Sequence, residues 1–317
     1  MCQAGGVTMR AVVVDPDAPM GLRVDRVEEP VPGPGQVLIE AHHVSLNRGD
    51  LDDARSGRLP PGSVLGRDVA GVVVAAADDS GPVVGTRVVA LAPGAFAQRV
   101  VADVEALAVV PDGVDLATAA ALPVAGVAAV QALRAGLLEI PIKGARVLIT
   151  GASGGVGRFA VQLAAYGGAH VIAVTSDPAR ADELAALGAE ETVTDVAQVD
   201  APVDLVLDTV GGPQLVAAWA LLAPGGNVQC VGASSGQPAT FPPDAMVGPA
   251  KSLTSFLITA PVGPDLESLV RLVAAGSLLV PIGWRGPLAK VEEAAAALRE
   301  RRVAGKAVLD VLPKPRL

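Results

Sequence analysis

Residues 147–164 read "VLITGASGGVGRFAVQLA", an apolar strand-like run, a glycine loop, and then a run with helical spacing. Ala152, Gly154 and Gly157 fall on the three small-residue positions of a dinucleotide fingerprint, directly after a predicted strand and at the start of a predicted helix. In that setting Gly154 lets the backbone approach a pyrophosphate, and Gly157 lets helix and strand pack closely. The free amides of Ser153, Gly154, Gly155, Val156 and Gly157 then face the phosphate charge. A glycine-rich string alone also suits a plain tight turn, so the elements around it must carry the assignment.

Those elements are legible. "ARVLIT" reads as a strand, "GVGRFAVQLAAYG" as a helix, "HVIAVT" as a strand, "PARADELAALG" as a helix, "VDLVLDTV" as a strand, "PQLVAAWALL" as a helix and "GNVQCVG" as a strand. Such alternation predicts an α/β fold with a doubly wound parallel sheet built from two βαβ halves. Upstream, from about residue 9 to 110, short β-branched runs broken by Gly and Pro predict an all-β unit: "RAVVVD", "GQVLIEAHHV", "VAGVVVAA", "GTRVVAL" and "AFAQRVVA". After "SLTSFLI" and a helix near 264–275, the tail returns to strand, helix and strand through "LLVPIGW", "LAKVEEAAAALRER" and "GKAVLDV". We assign it to the β-rich unit. At 317 residues the chain is about twice a typical single domain. The expected domains are therefore 1–120 with 260–317, and 121–259.

Composition narrows the class. Hydrophobic residues make up 51% of the chain. Yet no run of about 18 residues lacks charges or breakers, which predicts a soluble protein with no membrane partner. The opening "MCQAGGVTMRAVVV" has no basic region followed by a long apolar stretch, so no secretory signal is expected, and Met9 is read as the start of the fold. Cys2 and Cys230 have no partner spacing, which excludes a disulfide framework and points to a reducing cytoplasm. A net charge of −9 and the lack of a Lys/Arg cluster in the sequence disfavour nucleic acid. One tyrosine and two tryptophans leave no stacking platform for single strands. Small molecules are the expected partners.

The second strand of the fingerprint unit selects the dinucleotide. NAD sites usually end that strand with an acidic side chain, roughly 20 residues after the glycines. Here it ends "VIAVTSDPAR", with Thr175 in the acid's place, Ser176 next, and Arg180 one helical turn on, able to pair with a 2′-phosphate. That favours NADPH over NADH. Asp177 complicates the choice, although its place before Pro178 suits a helix cap, and Arg180 also reads as an ordinary exposed helix arginine.

Together with the β-rich first unit and the returning tail, "SLNRGD", "PGSVLGRDVAGVV", "VVPDGVDLATAAALPVAGVAAVQAL", "GAHVIAVTSDPARADELAALGAE" and "VDLVLDTVGG" give a specific resemblance. The chain resembles the medium-chain dehydrogenase/reductase superfamily over nearly its whole length, and within it the quinone oxidoreductase-like branch. The resemblance implies a GroES-like catalytic domain, a Rossmann domain and a cleft between them.

Zinc alcohol dehydrogenases of this superfamily have Cys where this chain has Asn47, and Gly-His-Glu where it has Gly66, Arg67 and Asp68. Zinc needs three or four converging soft or borderline ligands. With His42, His43 and His170 as the only histidines, we expect no metal site. Adjacent His42 and His43 are expected on opposite faces of one strand, in packing or surface roles. Without a Lewis acid, hydride transfer to a simple carbonyl is harder, whereas a quinone or α,β-unsaturated carbonyl spreads the developing charge onto a distant oxygen. Residue chemistry and resemblance thus both point to an NADPH-dependent, zinc-independent reductase of a conjugated acceptor.

By resemblance, Asn47 lies near the nicotinamide, where its amide can donate to substrate or cofactor. Asp50 is a second catalytic candidate. An ordinary carboxylate with a pKa of about 3.9 is ionised at neutral pH, so we favour a structural role for it unless burial raises that value. The branch often carries a tyrosine shortly after this motif, where this chain has Asp52 and Asp53. Tyr166, the only tyrosine, is assigned to packing. Further cofactor contacts carried over by position are Gly232 and Ala233 in "VGAS", and Phe256 and Leu257 in "SFLI". By resemblance the strand around 252–258 pairs across a homodimer axis. Two other readings stay open: an enoyl reductase of a polyketide or acyl pathway, and an NADPH-binding protein whose redox activity is lost or secondary.

Overall fold

The computed structural model describes residues 7–137 and 141–312. Cys2 and the stretch before Val7 lie outside the described residues. The chain divides into two compact units, Met1–Val127 with Thr259–Leu317, and Ala128–Ile258.

The first unit opens with a hairpin, β1 (Thr8–Val14) against β2 (Leu22–Glu28). Next come β3 (Gln36–Leu46), α1 (Arg48–Arg55), β4 (Asp68–Ala76), β5 (Arg87–Leu91), β6 (Arg99–Asp103), β7 (Leu107–Val109) and the short helix α2 (Leu116–Ala120). Helix α3 (Pro123–Gly136) contains the boundary at Val127.

The second unit then runs β8 (Arg146–Thr150), α4 (Gly155–Tyr166), β9 (His170–Val174), α5 (Ala181–Ala186), β10 (Glu191–Val193), β11 (Val203–Asp208), α6 (Gly212–Leu221), β12 (Leu222–Cys230) and β13 (Ser252–Ser255). The tail adds α7 (Gly263–Ala274), β14 (Ile282–Pro287), α8 (Val291–Arg299) and β15 (Lys306–Asp310) to the first unit.

Strand β3 organises the first unit. It pairs antiparallel with β4 on one side, and on the other with β15 near its C-terminal end and β6 near its start. The sheet order is β14-β15-β3-β4-β5-β7, so the tail is built into the same sheet as β3 to β7, while β1 and β2 form a separate two-stranded sheet. Its β-branched strands bury one core around Val37, Ile39, Val44, Val69, Val88, Phe96, Ala294 and Leu309. A register shift between Ala41 and His43 breaks the alternation expected there. The rings of His42 and His43 consequently meet edge to face with centroids 6.5 Å apart, which corrects their assignment to opposite faces. His43 pairs with Asp310 at 2.9 Å.

The second unit is a six-stranded sheet in the order β10-β9-β8-β11-β12-β13, parallel at every pairing. Chain order runs outward from β8 in one direction and from β11 in the other. The switch point, where such sheets bind ligands, lies between them at the carboxyl ends of the strands. Val147, Leu148, Ile149, Val171, Ile172, Leu205, Val206 and Leu207 are fully buried, as expected for strands covered on both faces. Helix α4 ends with Tyr166, which is 68% exposed. The tyrosine is thus a surface residue, not the packing residue expected from the sequence. Among the described residues no helix is long and apolar enough to cross a membrane.

Candidate functional site

In the second unit, four loops come together at the switch point. After β8 the chain turns through Gly151, whose φ of +61° suits glycine, and Gly154 caps α4 from an extended conformation. A Cβ on Gly157 would stand 2.4 Å from the Gly151 carbonyl oxygen and 2.6 Å from the Ala152 Cα. Only glycine therefore allows the helix to pack this closely on the loop. A Cβ on Gly154 would lie 3.3 Å from the Gly151 oxygen, so this position is less tightly enforced from within. Gly154 N, expected to be free, instead donates to the Gly151 carbonyl at 3.0 Å, so the open amides are those of the first helical turn, Gly155, Val156 and Gly157, and the residues present fit a pyrophosphate there.

Asp208 ties the second loop to the first. Fully buried at the end of β11, it accepts hydrogen bonds from the Thr150 hydroxyl, from Gly211 N at 2.8 Å and from Val210 N at 3.3 Å. Burial pushes its pKa up, and these donors act against that rise. Thr209 donates from its hydroxyl to the Thr150 carbonyl at 2.8 Å. Gly211 and Gly212, both left-handed, bring this loop against the third, where a Cβ on Gly212 would meet Ser235 Oγ at 2.9 Å. Gly232 packs as closely on the Thr209 carbonyl. Sequence reasoning missed Asp208; its signal was an acid closing the apolar, buried run Leu205–Leu207.

At the end of β9, Thr175 turns its hydroxyl inward toward Ser153 Oγ, 3.3 Å away, leaving Ser176 exposed. Asp177 accepts from Ala179 N at 3.0 Å, so it caps the following turn as expected. Arg180 pairs with Asp177 at 3.2 Å and with Glu183 at 3.7 Å. A second guanidinium, missed in the sequence, stands beside it: Arg158, 4% exposed, donates to the Ser153 carbonyl at 3.0 Å and to the Glu183 carboxylate. Two cations and no buried acid therefore flank this strand end. Ala233 is exposed, Phe256 is half-buried just beyond β13, and Leu257 is 81% exposed, so nothing within the unit encloses the last two.

The first unit places Asn47 and Asp50 in one polar cluster at the junction of β3 and α1. Asn47 N donates to Asp50 Oδ2 at 2.8 Å, so the carboxylate reaches back to cap its own helix. Asn47 Nδ2 donates to Asp68 Oδ2 at 2.9 Å and, over a long 3.4 Å, to the Ser45 carbonyl. Its Oδ1 accepts from Lys306 Nζ, and the same ammonium reaches Asp68 Oδ2 at 3.1 Å. Asp68 also accepts from Val124 N at 2.9 Å. Asp50 is only 1% exposed and pairs with Arg67 at 3.0 Å; burial first, and the nearby Asp68 carboxylate second, push its pKa up to about 7. Arg67, in turn, follows Gly66, where a Cβ would overlap the Phe96 ring.

This donor set does not fit zinc. Where the superfamily's metal ligands would stand, an amide and a carboxylate already hold a lysine ammonium. Among the described residues no group of three His, Cys, Asp or Glu side chains is placed to hold a metal ion.

Comparison with known proteins agrees with this architecture. Residues 33–112 match the family model of the alcohol dehydrogenase GroES-like domain, and residues 179–309 match that of the zinc-binding dehydrogenases. The chain is 32% identical over 311 residues to a chloroplast envelope quinone oxidoreductase homolog of Arabidopsis thaliana, covering 90% of this chain and 94% of that protein. A mycobacterial protein solved complexed with NADPH superposes with a TM-score of 0.85 at 28% identity, over 96% of this chain and 100% of that one. A polyketide synthase component of Streptomyces venezuelae is 37% identical over 212 residues, which is 62% of this chain and 6% of the synthase's length. The chain belongs to the medium-chain dehydrogenase/reductase superfamily as a quinone oxidoreductase-like member, with a GroES-like domain and a Rossmann domain.

Proposed function

We propose that this oxidoreductase is an NADPH-dependent, zinc-independent reductase that delivers hydride to a conjugated acceptor, a quinone or an α,β-unsaturated carbonyl. The observation that carries the reading is Lys306, whose ammonium sits on Asn47 and Asp68 in place of a metal. That arrangement favours acceptors whose charge delocalises without a Lewis acid.

NADPH, when bound, supplies the hydride. In the second unit, Ser153, Gly154, Gly155, Val156 and Gly157 would hold its pyrophosphate, and Ser176, Arg180 and Arg158 its 2′-phosphate, which competes with Glu183 for the two guanidiniums. Gly232, Ala233, Phe256 and Leu257 are the proposed further contacts. In the first unit, Asn47 is the proposed polar contact to substrate or cofactor. Its carbonyl is fixed by Lys306, and giving up the 3.4 Å bond to Ser45 frees one N–H for an acceptor oxygen. Asp50 serves as a positioning residue through the helix cap and Arg67. The functional domains are proposed as 1–120 with 260–317, and 121–259. We take the protein to be a cytoplasmic homodimer, with the edge strand β13, all four of whose side chains are exposed, as the dimer contact.

An enoyl reductase acting on acyl thioesters is the second reading, favoured by the similarity to polyketide synthases. The test follows NADPH absorbance anaerobically, with NADH as control, against 1,4-quinones, medium-chain enones and enoyl thioesters, with products identified by mass. Turnover of quinones alone supports a quinone reductase, and turnover of enones or thioesters supports carbon–carbon double-bond reduction. NADPH binding with no turnover on any class overturns the reductase reading in favour of a nucleotide-binding role.

A further inference from the structure

Two cations belong to the cluster around Asn47, and they differ in access. Lys306 is sealed, with 3% of its side chain exposed, whereas the Arg67 side chain is 41% exposed. Arg67 is nonetheless firmly placed. Its carbonyl accepts from Ala92 N at 2.8 Å, which anchors its backbone just past β5. Its guanidinium donates to Asp50 Oδ1 at 3.0 Å and to Asp53 Oδ2, carboxylates one turn apart on α1 that are themselves 1% and 11% exposed. Arg58 holds the other oxygen of Asp53 at 2.8 Å. One N–H serves each carboxylate, and the remaining N–H groups of Arg67 have no partner among the described residues. The guanidinium is thus fixed along one edge and open along another.

Its surroundings join it to Asn47. The Asp50 carboxylate that takes Arg67 on Oδ1 takes Asn47 N on Oδ2 at 2.8 Å. A Cβ on Gly49 would stand 3.7 Å from Arg67 Nη1, so the guanidinium lies over the first turn of α1, the helix that Asn47 caps. Asp68, which follows Arg67, accepts from Asn47 Nδ2 at 2.9 Å. Two buried carboxyl groups are a costly way to hold a half-exposed arginine for stability alone. They do keep its free N–H groups from turning toward water, so that these wait in place for charge that develops later. Burial, and then Asp68, push the pKa of Asp50 up to about 7, so near neutrality Asp50 is partly protonated and cancels less of the Arg67 charge.

We propose that Arg67 is a catalytic residue, the cation that binds the acceptor's oxygen as hydride transfer makes it negative, with the freed Asn47 N–H as its companion donor. The inference rests on the conjugated-acceptor reading above. When hydride adds with its electron pair to the conjugated carbon, a π pair shifts onto the carbonyl oxygen. That oxygen becomes an enolate or hydroquinone anion, which takes its proton from water on release. Arg67 stays protonated throughout, because a guanidinium does not give up its proton in this range, so it stabilises charge and transfers nothing. An uncharged acceptor gains little from such a cation before the hydride arrives, so the contact acts on rate more than on substrate affinity.

4-Nitrophenol, a planar phenol whose anion absorbs at longer wavelength than the acid, imitates that product without turnover. Absorbance titration of the full chain, with and without NADP+, at a pH equal to the ligand's own pKa, reads the ionised fraction of the bound ligand. Bound to the unaltered chain it should favour the anion by about tenfold, the equivalent of one pKa unit. Arg67→Gln should erase that preference, and Arg67→Lys, which keeps the charge, should restore part of it. If Arg67→Gln does not fold, its combination with Asp53→Asn removes a stranded acid together with its cation and carries the same expectation. The proposal is overturned if nitrophenol does not bind, if it binds as the neutral phenol, or if the glutamine variant keeps the anion preference. With the acceptor that the unaltered chain reduces, Arg67→Gln should lower kcat by about a hundredfold and move KM less than about threefold. A loss confined to KM, or no loss, also overturns it. A chain that binds the anion through Arg67 yet reduces no acceptor keeps this site and loses the reductase reading, so the two can fail separately.

Discussion

Lys306 and Asp68 form a salt bridge of 3.1 Å in which the two side chains are 3% and 0% exposed. The pair is shared with the half-buried Asn47, so the two charged groups lose their solvent together and all three satisfy one another. Replacing Lys306 with Met leaves the Asp68 carboxylate buried without its cation, and the thermal midpoint should fall by an amount equivalent to about 3 kcal/mol. Adding Asp68→Leu to that variant should recover part of the loss, since it removes the stranded charge. A double variant no more stable than the single one would show that the pair is not the source of the cost.

Asp50 makes stability fall with rising pH. Its pKa is near 3.8 unfolded and about 7 folded, so between those values the folded chain holds a proton that the unfolded chain has released. This contribution is fully present below about pH 4, declines through the interval and is gone above about pH 7. Thermal midpoints measured from pH 4 to 8 should show that decline, and Asp50→Asn should flatten it.

The two fingerprint glycines should separate fold from binding. Gly157→Ala drives a Cβ into backbone atoms 2.4 and 2.6 Å away, and should cost about 1–3 kcal/mol of stability together with most NADPH affinity. Gly154→Ala meets only one atom, at 3.3 Å, so it should keep the thermal midpoint and lose affinity where the phosphate approaches. Fluorescence titration beside a melting curve reads both.

Arg180 and Arg158 should divide dinucleotide selectivity from loop order. Arg180→Gln removes the proposed phosphate partner along with two surface ion pairs, to Asp177 and Glu183, and should weaken NADPH by about tenfold with little effect on NADH. Arg158→Gln also removes the bond to the Ser153 carbonyl, so it should weaken both cofactors. Equal effects of Arg180→Gln on the two would refute the assignment of this strand end to a 2′-phosphate.

Much of the second unit could be read in advance because its information is local. The glycines of residues 151–157, the apolar strands on either side and the cap at Asp177 each act within a few residues. What escaped is what the topology assembles. Arg158 looked like any helix residue until Ser153 and Glu183 were placed beside it, and Asp208 ties its loop to the first one through Thr150, 58 positions earlier. Asn47 was legible as a candidate from its motif, but the partners that define it, Asp68 and Lys306, are 21 and 259 positions away. The alternation of His42 and His43 failed for a different reason. A bulge is set by strand register, which no single strand encodes.

The order in which the ribosome delivers these pieces is set by β15. The strand that pairs with β3 and carries Lys306 is made after the whole of the second unit, so the first unit must wait, with its sheet open beside β3 and Asp68 lacking its cation, while a complete Rossmann sheet has time to form. A stalled or truncated nascent chain would therefore display a finished nucleotide fold attached to an unfinished partner, and the first unit cannot be obtained intact by expressing residues 1–127 alone.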